Sequence, residues 1–139
     1  MKSQRIGIIM HGVTGRMGMN QHLIRSVLAI RNQGGIPLKD GTMLIPDPIL
    51  IGRNPDKIQA LAEQHNVVRW GTDIDKALAN PDDTIFFDAA STQLRPELLR
   101  RAIDAGKHVY CEKPISEGLE DAVNIARYAK SSGVKNGIV

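Results

Sequence analysis

The sequence predicts one α/β domain built on a doubly wound parallel sheet. Short apolar segments alternate with amphipathic segments along its 139 residues, which is the pattern of strands joined by helices. The apolar segments show no polar alternation, so helices should cover both faces of the sheet. We expect the strand order 3-2-1-4-5-6, which brings the carboxyl ends of the strands to one edge, where such sheets bind ligands.

Six strands follow from these apolar segments. They are expected at residues 5–12, 48–54, 67–71, 83–91, 108–111 and from 134 onward, so that the domain covers residues 1–139 and ends within the sixth strand. The segment 36–48 has no helical period. We expect it to be a long loop or a small hairpin around Asp40-Gly41, and the most irregular internal segment of the chain.

Apolar spacing and terminal residues place the helices. In the first helix Leu23, Val27 and Ile30 recur at intervals of four and three residues, which forms one apolar face. The Asn-Pro pair at 54–55 predicts the start of the second, because asparagine caps a helix and proline suits its first position. Ser116 is expected to cap the last helix, which runs to about residue 132.

Composition and charge exclude several classes of protein. Hydrophobic residues make up 42% of the chain and aromatic residues 4%, so a core can form and must be aliphatic. The net charge of +3 is spread over scattered lysines and arginines, which argues against nucleic-acid binding. One cysteine, Cys111, excludes an internal disulfide and suits a reducing compartment. We see no leader, membrane span or metal-binding motif, and expect a cytoplasmic protein.

A glycine-rich segment, GVTGRMG, follows the first strand and opens the first helix. Glycines at this junction allow a tight turn, let phosphate oxygens approach backbone N–H groups, and place the ligand at the positive end of a helix. The sequence therefore predicts a pyrophosphate site, although a plain turn with close helix packing is the alternative. Its residues are Gly12, Thr14, Gly15, Arg16, Met17 and Gly18.

The tip of the second strand indicates which dinucleotide binds. NAD-binding domains usually place a carboxylate here to hold the ribose hydroxyls, whereas this chain has Gly52, Arg53 and Asn54. A glycine leaves room for a phosphate, and an arginine can grip it with its fork of donors. We therefore expect NADP in preference to NAD. The alternative is that Arg53 is a surface residue and NAD is held by backbone contacts.

The segment AGKHVYCEKPIS, residues 105–116, resembles the signature of the Gfo/Idh/MocA family, the glucose–fructose oxidoreductase and inositol dehydrogenase group. The likeness extends over the chain and implies a Rossmann domain of an NAD(P)-dependent oxidoreductase that acts on CH–OH groups of a sugar, polyol or related small molecule. It implies that Lys113 is catalytic and lies at the nicotinamide end of the cleft. Glu112 would orient this lysine or contact the nicotinamide ribose, and Pro114 would stiffen the segment.

The chain departs from the family pattern after the fourth strand. Family members usually have Thr-Pro there and a histidine shortly after, whereas this chain reads Ser-Thr-Gln-Leu-Arg over 91–95. The resemblance still implies cofactor contacts here, at Ala90 and, on the adenosine side, at Ser91 and Thr92. It also implies a second domain that carries the proton-transfer residues and sets any homo-oligomer. We therefore expect this chain to be the cofactor-binding half, inactive by itself.

Two alternatives remain open from the sequence. The glycine segment also resembles that of dihydrodipicolinate reductase, although the CEKP segment has no counterpart there. A dinucleotide sensor or docking module without catalysis is the second alternative, which an amine at the position of Lys113 argues against. We expect His11 to be a packing residue at a strand end and Cys111 to be a small buried strand residue.

Overall fold

The computed structural model describes residues 1–139 as a sheet of seven strands with helices on both faces. The strands are β1 (Ser3–His11), β2 (Ile36–Pro37), β3 (Met43–Ile51), β4 (Arg69–Gly71), β5 (Asp83–Asp88), β6 (His108–Cys111) and β7 (Asn136–Ile138). The main order is β2-β3-β1-β5-β6-β7, and β4 pairs with β3. All pairs are parallel except β2 with β3. The six predicted strands correspond in chain order to β1, β3, β4, β5, β6 and β7, so the doubly wound sheet and its predicted order 3-2-1-4-5-6 are confirmed.

Five helices connect the strands. The first, α1, has π-helical hydrogen bonding over Gly18–Leu28 and ends as an α-helix over Ala29–Asn32; the others are α2 (Pro55–Gln64), α3 (Ile74–Ala79), α4 (Arg95–Asp104) and α5 (Leu119–Ser132). The predicted start of α2 is confirmed, because the side chain of Asn54 accepts a hydrogen bond from the N–H of Lys57 at 3.1 Å. No helix is both long enough and apolar enough to cross a membrane.

Several elements begin at residues other than those predicted, since β1 begins two residues earlier than expected and β4 and β7 begin two residues later. Gly118, not Ser116, is the N-cap of α5, because the hydroxyl of Ser116 donates to the carbonyl of Gly118 instead of capping a helix. β3 begins at Met43 rather than at residue 48. The hairpin expected around Asp40 is present, since β2 pairs antiparallel with the start of β3.

Two prolines explain why the sequence did not predict the first half of β3. Pro46 and Pro48 lie within the strand, where proline normally interrupts hydrogen bonding. On the side away from β1, β2 pairs only with residues 43–44 of β3 and β4 only with 49–51. The prolines lie in the stretch between, which has no strand partner on that side, so proline is tolerated there. The segment 36–48 is consequently more regular than expected.

Two apolar cores lie on opposite faces of the sheet. Neighbouring residues of β5 point to different faces, so Phe86 packs in one core and Phe87 in the other. The first core joins the sheet to α4 and α5 through Leu99 and Ile125. The second joins it to α1 and α2 and includes Leu23 and its neighbours. Coverage of both faces explains why the strands read as continuous apolar runs.

Candidate cofactor site at the carboxyl edge of the sheet

A cleft of about 580 Å³ lies where β1, β3 and β5 end. It brings together many of the residues that the sequence predicted as cofactor contacts, together with His11, Gln93 and four apolar side chains. The predicted residues that line it are Gly12, Thr14, Gly15, Gly52, Arg53, Ala90 and Ser91. Three segments far apart in sequence therefore meet at one edge, as a doubly wound sheet requires.

Other predicted residues lie outside this cleft. Met17 and Glu112 line a neighbouring cavity of about 460 Å³ beside α1. Arg16 is exposed next to the cleft, and Gly18 is buried under it. Asn54 caps α2 through its side-chain oxygen, which accepts from the N–H of Lys57, and it is not part of the cleft lining. Thr92 is half-buried, and its carbonyl accepts from the N–H of Arg95 at 3.4 Å.

The glycine turn is packed closely on the protein side and open on the cleft side. Gly12 has φ +79°, and a Cβ there would collide with the backbone of Ala90. A Cβ on Gly18 would collide with the carbonyl oxygen of Gly12, so a glycine at this position allows α1 to lie close to the turn. At Gly15 the nearest atom to an added Cβ is that oxygen, at 3.5 Å. The space beside Gly15 at the helix start fits a pyrophosphate.

A single arginine and no lysine line the cleft. Arg53 is exposed at the end of β3, forms no ion pair, and is the only lysine or arginine in the cleft lining. No aspartate or glutamate lines the cleft. Gly52 beside it donates its N–H to the carbonyl of Gly71 at 3.2 Å, which ties this tip to the end of β4. A fixed strand end with a free guanidinium can bind a phosphate group.

Glu112 makes contacts that the sequence could not indicate. Its Oε1 lies 2.5 Å from Nε2 of His22 on α1, and its Oε2 accepts from the backbone N–H of Lys113 at 3.1 Å. The bond with His22 lowers the pKa of Glu112 below its ordinary value; burial opposes this shift, and the N–H of Lys113 adds to it. Glu112 therefore fixes the backbone from which the side chain of Lys113 extends.

Lys113 is exposed beyond the end of β6, and its ammonium makes no hydrogen bond or ion pair within the chain. The bond from Lys113 to Pro114 is a cis peptide bond, and the carbonyl of Pro114 accepts from the guanidinium of Arg95. The segment after β6 is thus anchored on both sides of Lys113, while the amine stays available to a ligand.

A buried polar chain connects three strand ends. Nε of Arg95 donates to Asp88 at 2.9 Å, and the other oxygen of Asp88 lies 2.8 Å from Nδ1 of His11. Arg95 is 2% exposed and Asp88 is wholly buried. Arg95 also donates to the carbonyl of Ala90 at 2.6 Å. His11 packs at the end of β1 with its ring stacked on Phe86, and the same ring is hydrogen-bonded to Asp88 and lines the cleft. The prediction for Cys111 is confirmed, and burial raises the pKa of its thiol to about 11.

The sequence matches a protein family over most of its length. Residues 7–138 match the model of the GFO_IDH_MocA family, described as an oxidoreductase family with an NAD-binding Rossmann fold. The chain belongs to the Gfo/Idh/MocA family. The resemblance noted at residues 105–116 is therefore confirmed, and the family match supports this interpretation over the two alternatives.

Known Gfo/Idh/MocA relatives include sugar oxidoreductases. The chain is 49% identical over 138 residues to D-xylose dehydrogenase of Paenarthrobacter nicotinovorans. The aligned residues cover 99% of this chain and 36% of that protein. It is 30% identical over 88 residues to 1,5-anhydro-D-fructose reductase of Ensifer adhaerens, covering 63% of this chain and 26% of that protein. The chain thus spans about a third of the length of these relatives.

A solved structure shares the fold. Levoglucosan dehydrogenase in complex with NADH and levoglucosan superposes with a TM-score of 0.81 at 21% identity, over 97% of this chain and 35% of that one. At this identity the likeness concerns the fold of the domain.

Proposed function

We propose that this chain is the cofactor-binding domain, residues 1–139, of an oxidoreductase that transfers hydride between NAD(P) and a CH–OH group of a sugar or polyol. The observation that carries the proposal is the common sheet edge. The open glycine turn follows β1 and the free amine of Lys113 follows β6, so a dinucleotide bound at the turn can extend toward the amine. The relative named D-xylose dehydrogenase supports a sugar substrate.

In this proposal the chain's own residues divide the work. The glycine turn binds the pyrophosphate through backbone N–H groups, and Lys113 presents a cation beside the reacting carbon–oxygen bond, where it stabilises a developing alkoxide or polarises a carbonyl. Glu112 holds the backbone of Lys113 in place. The bound nicotinamide supplies the hydride chemistry. A second domain, outside these residues, supplies the proton-transfer groups, the rest of the substrate site and any homo-oligomer contacts.

We further propose that NADP(H) binds more tightly than NAD(H), and that the protein works in the cytoplasm. The cofactor preference is supported by the cleft lining, which has Arg53 and no carboxylate. A carboxylate would favour the free ribose hydroxyls of NAD, whereas a guanidinium favours a 2′-phosphate. The location is supported by a single, buried, unpaired cysteine, which suits a reducing compartment.

Calorimetric titration of the 139-residue chain with NADP+ and NAD+ tests the proposal. We expect both to bind at one site, with the smaller dissociation constant for NADP+. Adenosine 5′-diphosphate should compete with both, because it carries the pyrophosphate that the glycine turn binds. Absence of binding by both dinucleotides would contradict the proposed function, and equal dissociation constants would contradict only the preference.

A further inference from the structure

His11 is a polar group of the cleft lining to which the proposed function assigns no role. We propose that His11 is a binding residue for the adenosine part of the cofactor, with Nε2 accepting a hydrogen bond from a ribose hydroxyl or from the adenine amine. The inference rests on the proposed function, since it requires a dinucleotide in this cleft. It adds a contact that follows from the geometry of His11 in this chain.

The position of the ring leaves one nitrogen for a ligand. Nδ1 lies 2.8 Å from the carboxylate of Asp88, and one face of the ring stacks on Phe86 with centroids 6.4 Å apart. Nε2 has no hydrogen-bond partner in the chain, and it is not buried. The imidazole is 14% exposed and lines the cleft beside Gly12. Nε2 is therefore the atom open to a ligand.

The partner of Nδ1 fixes which nitrogen carries the proton. A carboxylate only accepts hydrogen bonds, so Nδ1 must be the donor. In the neutral ring Nε2 then has a lone pair and acts as an acceptor. Asp88 cannot turn away, because Arg95 holds its second oxygen at 2.9 Å and both residues are buried. The arrangement is that of a positioned acceptor, as second-sphere carboxylates produce for histidines that bind metals.

The surroundings indicate which part of the cofactor meets this acceptor. The adenosine part offers hydroxyl and amine donors, whereas phosphate oxygens only accept. The cleft has no carboxylate to receive those donors, so His11 supplies an acceptor that a strand-tip acid provides in other NAD-binding domains. Ile74, Leu94 and Leu98 line the same cleft and give it an apolar wall suited to a purine ring.

Binding assays on two variants and a control test the proposal. His11→Phe keeps a planar ring but removes the acceptor, and should weaken NAD+ and AMP about threefold to tenfold, the effect of one lost hydrogen bond. His11→Gln can place a carbonyl oxygen near the position of Nε2 and should keep most of the affinity. His65→Phe, at the end of α2 and away from the cleft lining, should bind like the parent. Inorganic pyrophosphate should bind all four proteins alike.

The contradicting outcomes separate this inference from the proposed function. Unchanged NAD+ and AMP binding by His11→Phe overturns the inference alone. If His11→Phe loses as much affinity for pyrophosphate as for NAD+ and AMP, the inference is also overturned, because His11 would then donate a hydrogen bond to a phosphate group. A parent chain that binds no nucleotide overturns the proposed function together with the inference.

Nitrogen NMR of histidine-labelled chain gives a readout that a packing role would not move. We expect His11 to carry its proton on Nδ1, and its Nε2 resonance to shift when AMP is added. The resonances of His65 and His108, which lie outside the cleft, serve as internal controls. A proton on Nε2 in the free chain, or no shift of Nε2 at saturating AMP, would overturn the inference.

Discussion

Nε2 of His22 lies 2.5 Å from Oε1 of Glu112, and this contact joins the first helix to the end of β6 across 90 residues of sequence. The ring of His22 also packs on Phe87, with centroids 4.7 Å apart. The same carboxylate binds the backbone N–H of Lys113. The glycine-turn helix and the segment with the proposed catalytic lysine are therefore held by one residue, and the consequences can be measured.

Loss of the His22 contact should raise the pKa of Glu112 toward its ordinary value. His22→Phe keeps the packing on Phe87 but cannot hydrogen-bond, whereas His22→Gln retains a donor and serves as the control. Because the folded pKa of Glu112 is lowered, the contact stabilises the fold above the ordinary glutamate pKa of about 4.3 and stops doing so as pH falls through the folded value. We expect His22→Phe to lose about 1–2 kcal/mol of unfolding free energy at pH 7.

Carbon NMR titration of the glutamate carboxylates and denaturant unfolding at several pH values check this prediction. The stability difference between the parent and His22→Phe should shrink as pH falls below the ordinary glutamate pKa and through the lowered pKa of folded Glu112. An unaltered titration of Glu112 in His22→Phe would show that the contact has no effect on the carboxylate.

Arg53→Ala should reduce affinity for NADP+ and leave affinity for NAD+ nearly unchanged. The guanidinium is the only cationic side chain of lysine or arginine in the cleft lining, and a lost charge-assisted contact typically costs about 1–3 kcal/mol. Arg127→Ala on the exposed surface of α5 removes the same charge away from the cleft and is the matched control. Calorimetry should show the loss in Arg53→Ala only. Equal losses for the two dinucleotides would remove the role assigned to Arg53.

Lys113→Ala should separate catalysis from folding. Its side chain is exposed and unpaired, so the unfolding free energy of this chain should change by no more than about 0.5 kcal/mol, and NADP+ affinity should be largely kept. In a full-length protein that carries this domain, turnover should fall by roughly two to four powers of ten. Lys113→Arg should recover little, because the planar guanidinium does not present a compact charge at the same place.

The matched control for this prediction is Lys130→Ala, an exposed lysine on α5. It should leave stability, cofactor affinity and turnover unchanged. Normal turnover of Lys113→Ala would assign Lys113 to the surface, and an unfolded variant would assign it to the structure.

Asp83 should govern acid stability from the opposite edge of the sheet. Burial alone would raise its pKa, but hydrogen bonds from Arg69 at 2.8 Å and Arg5 at 3.1 Å lower it below the ordinary value. Because the pKa of Asp83 is lowered in the folded protein, its hydrogen bonds with the two arginines stabilise the fold above about pH 3.9. This stabilisation is lost as pH falls through the folded pKa of Asp83. Asp83→Asn should lose about 2–3 kcal/mol at pH 7, less than for a wholly buried pair because the Arg5 side chain is 40% exposed.

Asp82→Asn, the exposed neighbouring carboxylate, is the control and should behave like the parent. Denaturant unfolding from pH 7 to pH 2.5 should show the parent and Asp83→Asn converging below about pH 4. A constant difference across that range would mean that the effect comes from packing rather than from charge.

The sequence predicted what depends on local pattern and on sheet topology. Strands buried on both faces read as apolar runs, and the parallel order then assigned Gly12, Arg53, Ser91 and Lys113 to one edge of the sheet. The structure confirms this fold, and the cleft at that edge is lined by seven of the predicted cofactor contacts, among them Gly12, Arg53 and Ser91. The start of β3 was missed because prolines tolerated by tertiary context look like breakers when read locally.

The polar chains around the site could not be predicted. His11 and Asp88 are separated by 77 residues, and His22 and Glu112 by 90. Whether such pairs meet depends on strand register and helix orientation, which spacing in a single sequence does not determine. The sequence contained one indication of the buried guanidinium of Arg95, which holds Asp88 and Pro114. Arg95 lies in the segment 91–95, which lacks the proline that family members usually have after this strand.

Amide chemical-shift mapping of the nitrogen-labelled chain during titration with NADP+ tests whether one dinucleotide lies along the carboxyl edge from Arg53 past the glycine turn to Lys113. We expect saturable shifts at Gly12, Gly15, Arg53, Ser91 and Lys113, and none around Asp83 at the opposite edge. Repeating the titration with NAD+ should reduce the shift at Arg53 selectively. Shifts confined to other surfaces, or no saturable shifts at this edge, would show that the dinucleotide does not bind along this edge.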